Sequence, residues 1–350
     1  MKKNTYYYFL FLSSFARGIV ESFSLVLLYK KGFSIFFVFL FLILSYLFGI
    51  VVSYVSLKGS KKFFLIISNL SYAFCYFYFN FMEKSVYSYI IFLILFSFSN
   101  YSYHVIRHYY AMSMNRDGKD STYYYVLFHY LGLSFSSLLG GFIIEYISVF
   151  WVSIVILFLL FVSCIPIIGY DNRVRRSDTD IIRLIKLGKK KILFSVLEQF
   201  KVVFMELQPL YLYLFVYQSF FSIGLFKVIM SLSSLLIALF FIRYIKDKRV
   251  RYISFLLGII MIAKLLVVNP IIMFIIAFLE GIFVKMYEVF SLRCLYSFKD
   301  YSIGSYLMTE EFIFLFSKSV IVSLFLFLNF KVSLFICVIG IIISGFVYEI

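Results

Sequence analysis

The chain has 350 residues, 63% hydrophobic and only 14% charged, with a net charge of +16. Soluble domains run near half apolar and a quarter charged, so this composition excludes an ordinary soluble fold. The basic residues lie in short segments between apolar runs, which excludes a nucleic-acid surface and points to membrane topology.

A bilayer core needs about 20 apolar residues per helix and tolerates no unsatisfied backbone, so each long apolar run should be one helical span. In chain order the runs predict helices over approximately 6–28, 35–57, 63–82, 87–106, 123–146, 150–169, 193–217, 222–242, 252–268, 271–292, 303–328 and 332–347. The first run is long enough to span and carries Arg17 and Glu21, so it reads as an uncleaved helix rather than a signal peptide. The stretch from Tyr170 to Lys191 is the only long, strongly charged one. It divides the chain into an N-terminal six-helix bundle (1–169), a basic cytoplasmic linker (170–192) and a C-terminal six-helix bundle (193–350). The expected fold class is therefore an all-α polytopic membrane protein of about 12 transmembrane helices.

Charge alternation supports this segmentation. With the N-terminus inside, 23 of the 33 basic residues fall in cytoplasmic segments and four, Lys30, Lys31, Lys84 and Lys331, on the opposite side. That bias predicts a multi-pass protein of the plasma (inner) membrane with both termini cytoplasmic. Lys30 and Lys31 are its one local violation. The cysteines Cys75, Cys164, Cys294 and Cys337 sit singly in apolar runs, so neither a disulfide framework nor a zinc site is indicated.

Two faint internal matches link the halves. Ser45–Phe64 resembles Ser234–Ile253, and Lys119-Asp120 and Lys299-Asp300 each precede the fifth span of their half. Parallel six-helix repeats are a transporter architecture with the binding site near midplane.

On these residues the chain resembles the major facilitator superfamily. That family carries a Gly, small-residue, Asp-Arg, Gly-Arg-Lys signature after its second helix, and Ser53-Tyr54-Val55-Ser56-Leu57-Lys58-Gly59-Ser60-Lys61-Lys62 is similar, with Leu57 in place of the acid. Asp247, Lys248 and Arg249 stand at the matching point of the second half. The resemblance implies gating loops at Lys58, Gly59, Lys61 and Lys62 and at Asp247, Lys248 and Arg249. Ser136-Ser137-Leu138-Leu139-Gly140-Gly141 looks like a relative of the family's Gly-Pro-x-x-Gly-Gly pattern on helix five, with the Gly-Pro lost. Read physically, Gly132, Ser136, Gly140 and Gly141 form a small-residue stripe for close helix packing.

Ionisable groups inside spans cost a few kcal/mol each, about 2.5–3.5 on insertion scales, and need partners, water or a function. Arg17 and Glu21 lie four residues apart on one helical face and are able to pair. Glu198, Lys201 and Glu206 lie in the seventh span, Glu280, Lys285 and Glu288 in the tenth, and Glu310, Glu311 and Lys318 in the eleventh. The resemblance implies a cavity lined by helices one, four, seven and ten, which selects Arg17, Glu21, Glu206 and Glu280 as the substrate and proton pathway. Glu198, Lys264 and Glu288, near helix ends, are expected to snorkel outward. His104 and His108 share a face, a spacing also used by metal sites, but an interfacial polar role is the expectation and no metal is called for. Pro209 beside Gln208 is expected to kink the seventh span.

The expected function is a secondary active transporter moving a small-molecule substrate by alternating access, driven by a solute gradient or by protons. No GxxxxGK[ST] motif is present, so direct use of ATP is not expected. The alternatives are a lipid flippase and a membrane-embedded transferase. The loops are short and basic where such enzymes place catalytic clusters, so an enzyme is not expected, nor a cofactor. A monomer in the lipid bilayer, without nucleic-acid partners, completes the expectation.

Overall fold

The computed structural model describes residues 3–114, 119–168, 189–240, 249–296 and 302–349. All the regular structure among them is helical: α1 (Lys3–Glu21), α2 (Ser24–Lys30), α3 (Ile35–Lys58), α4 (Lys61–Phe81), α5 (Val86–Met114), α6 (Lys119–Tyr146), α7 (Val149–Ile168), α8 (Lys189–Leu212), α9 (Phe220–Phe240), α10 (Val250–Leu266), α11 (Pro270–Tyr296), α12 (Ile303–Phe327) and α13 (Phe330–Glu349). Helices α1 and α2 together make the first span, so the helices match the predicted spans one for one. The predicted linker falls almost wholly outside the described residues, as do Asp247 and Lys248.

Local signals set the boundaries. Ser60 and Ser302 cap α4 and α12 by accepting from the backbone N–H groups of Phe63 and Ser305, and the Asn269 side-chain oxygen Oδ1 accepts from Ile271 N at 2.9 Å just before Pro270 opens α11. A proline there forfeits no helix bond, because the first N–H groups of a helix have no intrahelical partner. At Pro209 α8 continues, then loosens into a π-helical turn over Tyr213–Tyr217 that ends at Gln218 in the left-handed region (φ 51°). Pro209 is thus carried inside the α-helix, and the departure from α geometry comes about one turn later.

The packing repeats between the halves. In the first, α1 packs on α6 and α7, α5 on α3 and α4, and α4 on α7; in the second, α8 packs on α12 and α13, α11 on α9 and α10, and α10 on α13. Each pair recurs six spans later. The halves meet where α6 lies along α9 and α3 along α12. Ten helical segments are long and apolar enough to cross a membrane. Of the remaining two, α10 has only 17 residues and α12 carries Glu310, Glu311 and Lys318, all three turned toward partners inside the bundle. Large apolar side chains such as Phe36, Val51, Phe74, Phe158, Phe255 and Ile275 cover the outside. Lipid can solvate that surface; water would not.

The small-residue stripe is split between two neighbours. Gly132 and Gly140 lie against the backbone carbonyls of Phe11 and Ile19 on α1, while Gly141 faces Phe220 on α9, where Gly224 in turn faces Ser137. A side chain at Gly140 would run into the Ile19 carbonyl, which cannot move without shifting α1. Gly140→Val is therefore expected to lower stability by about 1–3 kcal/mol or more, read as a drop in the thermal midpoint of purified protein. Leu139→Val, one residue away at an exposed position, should stay within about 0.5 kcal/mol; equal midpoints for the two variants would refute the packing account.

The far-side lysines that broke the charge alternation have structural work. Lys31 Nζ donates to the carbonyls of Asn80 (3.3 Å) and Met82 (3.1 Å), closing the end of α4, and Lys30 lies over the rings of Tyr213 and Phe220. A cation at a helix C-terminus meets carbonyls that have no partner within the helix.

Candidate functional site

Arg17 is buried within the first half. Its guanidinium donates to Asn69 (3.0 Å), to Asn100 (3.2 Å) and to the carbonyls of Ser68 and Ser99, between the rings of Tyr72 (4.3 Å) and Tyr103 (3.9 Å). The i, i+4 spacing to Glu21 does not become an ion pair: α4 and α5 supply four neutral acceptors to the two terminal nitrogens and two π faces, while Nε is left without a partner among the described residues. Arg17 thus ties three helices of one half together.

Glu21 ends α1 just before the Ser22–Phe23 break. Ser24 closes that break, donating back to the Glu21 carbonyl (3.1 Å) and sharing a 2.5 Å hydrogen bond with the Tyr76 hydroxyl. The Glu21 carboxylate is exposed and has no hydrogen bond or ion pair among the described residues, yet it lies near enough to Arg17 and to Lys227 of α9 to act on both charges.

Glu206 joins the halves. It accepts a short hydrogen bond from the Tyr46 hydroxyl on α3 and a 2.7 Å bond from Lys318 on α12. Its side chain is 35% exposed although it lies mid-span, and Tyr101 of α5 stands beside Tyr46 at 6.4 Å between rings. The carboxylate is thus paired yet partly open where the two halves meet.

Glu280 is wholly buried in the second half. Lys264 of α10 donates to it at 2.5 Å, Gln208 Nε2 reaches both of its oxygens at 2.9 and 3.0 Å, and Lys227 donates to Gln208 Oε1 at 2.8 Å. Lys264 therefore turns inward instead of snorkelling: the end of α10 packs on α11, and the acid there offers more than the interface does. Glu198 and Glu288 likewise pair, with Lys201 (3.4 Å) and Lys285 (2.8 Å) on their own helices.

Nearer the N-terminal end of α1, two further polar contacts cross between halves. His104 Nδ1 lies 2.9 Å from Glu311 on α12, and Tyr130 donates to Glu288 at 2.5 Å with Lys285 3.4 Å from its ring centroid. The acid beside the His104–His108 pair thus comes from the other half of the chain. Among the described residues no group of three or more His, Cys, Asp or Glu side chains is placed to hold a metal. In the predicted gating loop, Lys58 bonds the Tyr54 hydroxyl, Lys61 turns back onto the carbonyls of Leu57 and Gly59, and Lys62 reaches the Ile168 carbonyl at 2.7 Å. Gly59 caps α3, and Arg249 is exposed at the start of α10.

Of the four residues selected from sequence, none is bonded to another: Arg17, Glu206 and Glu280 each have their own set of partners, and Glu21 has none among the described residues. Tyr46, Lys318, Gln208, Lys227 and Lys264 complete those sets. Their place inside apolar spans was a usable signal for the three lysines; nothing in the sequence marked Tyr46 among 31 tyrosines.

No family model and no curated protein matches the sequence. Among solved structures, the crystal structure of the human organic anion transporter MFSD10 (TETRAN) is similar, with a TM-score of 0.73 over 99% of this chain and 98% of that chain at 10% identity. At that identity the likeness is one of fold, and together with the repeated six-span packing it shows that the chain has the helical fold of the major facilitator superfamily.

Proposed function

We propose that the chain is a secondary active transporter moving a small solute by alternating access. In this reading residues 1–169 and 193–350 rock as two bundles, tethered by 170–192, and the protein works as a monomer in the plasma (inner) membrane with both termini cytoplasmic. The observation that carries the reading is the Tyr46–Glu206–Lys318 contact, an ionisable pair at mid-span, partly exposed and bonded across the halves. Rocking must break the Tyr46 bond while leaving Lys318, on the same half as Glu206, in place. A mid-span carboxyl that loses one donor as the halves move, while open to solvent, has the chemistry to hand on a proton. Glu206 is therefore assigned the coupling proton, and the loops at Lys58–Lys62 and 247–249 are assigned to gating.

The test is flux in proteoliposomes against a broad solute panel, including organic anions, the class named for MFSD10, with and without an imposed proton gradient. Gradient-dependent accumulation of at least one solute is expected. Movement of labelled phospholipid without any solute flux would replace the proposal with a flippase, and turnover of a lipid-linked donor would replace it with a transferase.

A further inference from the structure

The Glu280 cluster contains more positive charge than it neutralises. Glu280, Lys264, Gln208 and Lys227 come from α11, α10, α8 and α9, and the first three are no more than 1% exposed. With both lysines and the acid ionised, the cluster carries one positive charge in excess, and an uncompensated charge in such surroundings is costly. The excess falls on Lys227. Lys264 touches the carboxylate directly, whereas Lys227 reaches only the neutral amide of Gln208. An ammonium has three N–H donors, so that single bond leaves two for another acceptor. Lys227 is also the most open member, 8% exposed, and its helix α9 lies along α6 at the seam between the halves. Across that seam stands Glu21, close enough to act on Lys227 but not bonded to it.

We infer that Lys227 is the anion-recognising residue of the transport site, and that the solute carries a carboxylate, phosphate or sulfate group which binds its ammonium in competition with Glu21. This rests on the transporter reading and adds a substrate class to it. An anionic head group satisfies the two open N–H donors and cancels the excess charge at once. A cationic solute would meet Lys227 as a repelling charge. Glu21, as the competing carboxylate, keeps the seam neutral when no solute is bound.

The test uses a size-matched trio, benzoate, benzylamine and benzyl alcohol, whose rings suit a chain rich in Phe and Tyr. Thermal stabilisation of the purified protein is measured in phosphatidylcholine nanodiscs. Benzoate is expected to raise the midpoint, and the amine and the alcohol are not. Lys227→Gln should weaken the apparent affinity for benzoate about tenfold or more, the loss of one charge-assisted hydrogen bond. Lys227→Arg should retain most of it, which separates lost charge from lost folding. Glu21→Gln should strengthen it, a change of sign that a purely structural role would not produce. Equal responses to the three probes, no response to benzoate, or full retention in Lys227→Gln would overturn the inference. Suppression of the benzoate response by phosphatidylglycerol in the disc would reassign the site to a lipid head group and overturn the solute assignment. If benzoate binds through Lys227 while no panel solute is transported, the anion site stands and the transporter reading falls. Transport of a cationic solute indifferent to Lys227→Gln has the opposite meaning.

Discussion

Glu280→Gln is expected to destabilise the protein by about 3–5 kcal/mol, the usual cost of removing one partner from a buried ion pair. The substitution is nearly isosteric, so cavity formation contributes little. What it removes is the only carboxylate among the described residues in hydrogen-bond contact with Lys264, in a site where neither residue is exposed at all. The substitution also raises the positive excess of the cluster, since Gln208 no longer links Lys227 to an acid. The measurement is the thermal midpoint and the monodisperse yield of the detergent-purified variant. A control fixes the cause: Lys264→Met with Glu280→Leu removes both charges and keeps the volume, so it should recover much of the loss. If Glu280→Gln melts with the wild type, the cluster is not held by charge and the geometry above has been misread.

Glu206→Gln should instead spare folding and abolish uphill transport. Its carboxylate is partly solvated, so losing the Lys318 pair does not strand a charge in a dry site. The amide can still accept from the Tyr46 hydroxyl. It cannot take up and release a proton, so on the proposed mechanism the solute should equilibrate across the membrane without accumulating, while exchange of labelled for unlabelled solute continues. Tyr46→Phe separates the two roles of the site: it deletes the bond across the halves and leaves the titrating group. That change should alter the exchange rate yet leave gradient-driven accumulation intact. Full accumulation by Glu206→Gln, with unchanged solute affinity, would remove Glu206 from the coupling step.

The spans were legible in the sequence because a bilayer imposes one requirement on every segment, about 20 apolar residues with the backbone satisfied internally. Hydropathy finds that without knowing any neighbour. Even α12 was found, although its three charges keep it below a simple hydropathy criterion. Its apolar run extends well beyond them on either side. Pro209 was legible as a residue that costs the helix a backbone donor, but the π-helical turn at Tyr213–Tyr217 was not, since no residue there marks it.

The partners of the charges were decided only by the tertiary structure. Arg17 and Glu21 have the spacing of a helical pair, yet Arg17 turns to Asn69 and Asn100, more than fifty residues away, because packing α1 on α4 and α5 puts neutral acceptors within reach on that side. Lys264 sits where a lysine would normally snorkel, and becomes the partner of Glu280 because α10 and α11 close over both. Tyr46 and Glu206 are 160 residues apart, and His104 and Glu311 are 207 apart. No local periodicity encodes such distances. They follow from folding each half into the same bundle and laying α3 on α12 and α6 on α9. The sequence by itself thus determined which segments cross the membrane and which charges they carry into it. The fold determined which charges meet, because an ion pair between helices depends on the packing of whole bundles, whereas a span depends only on itself.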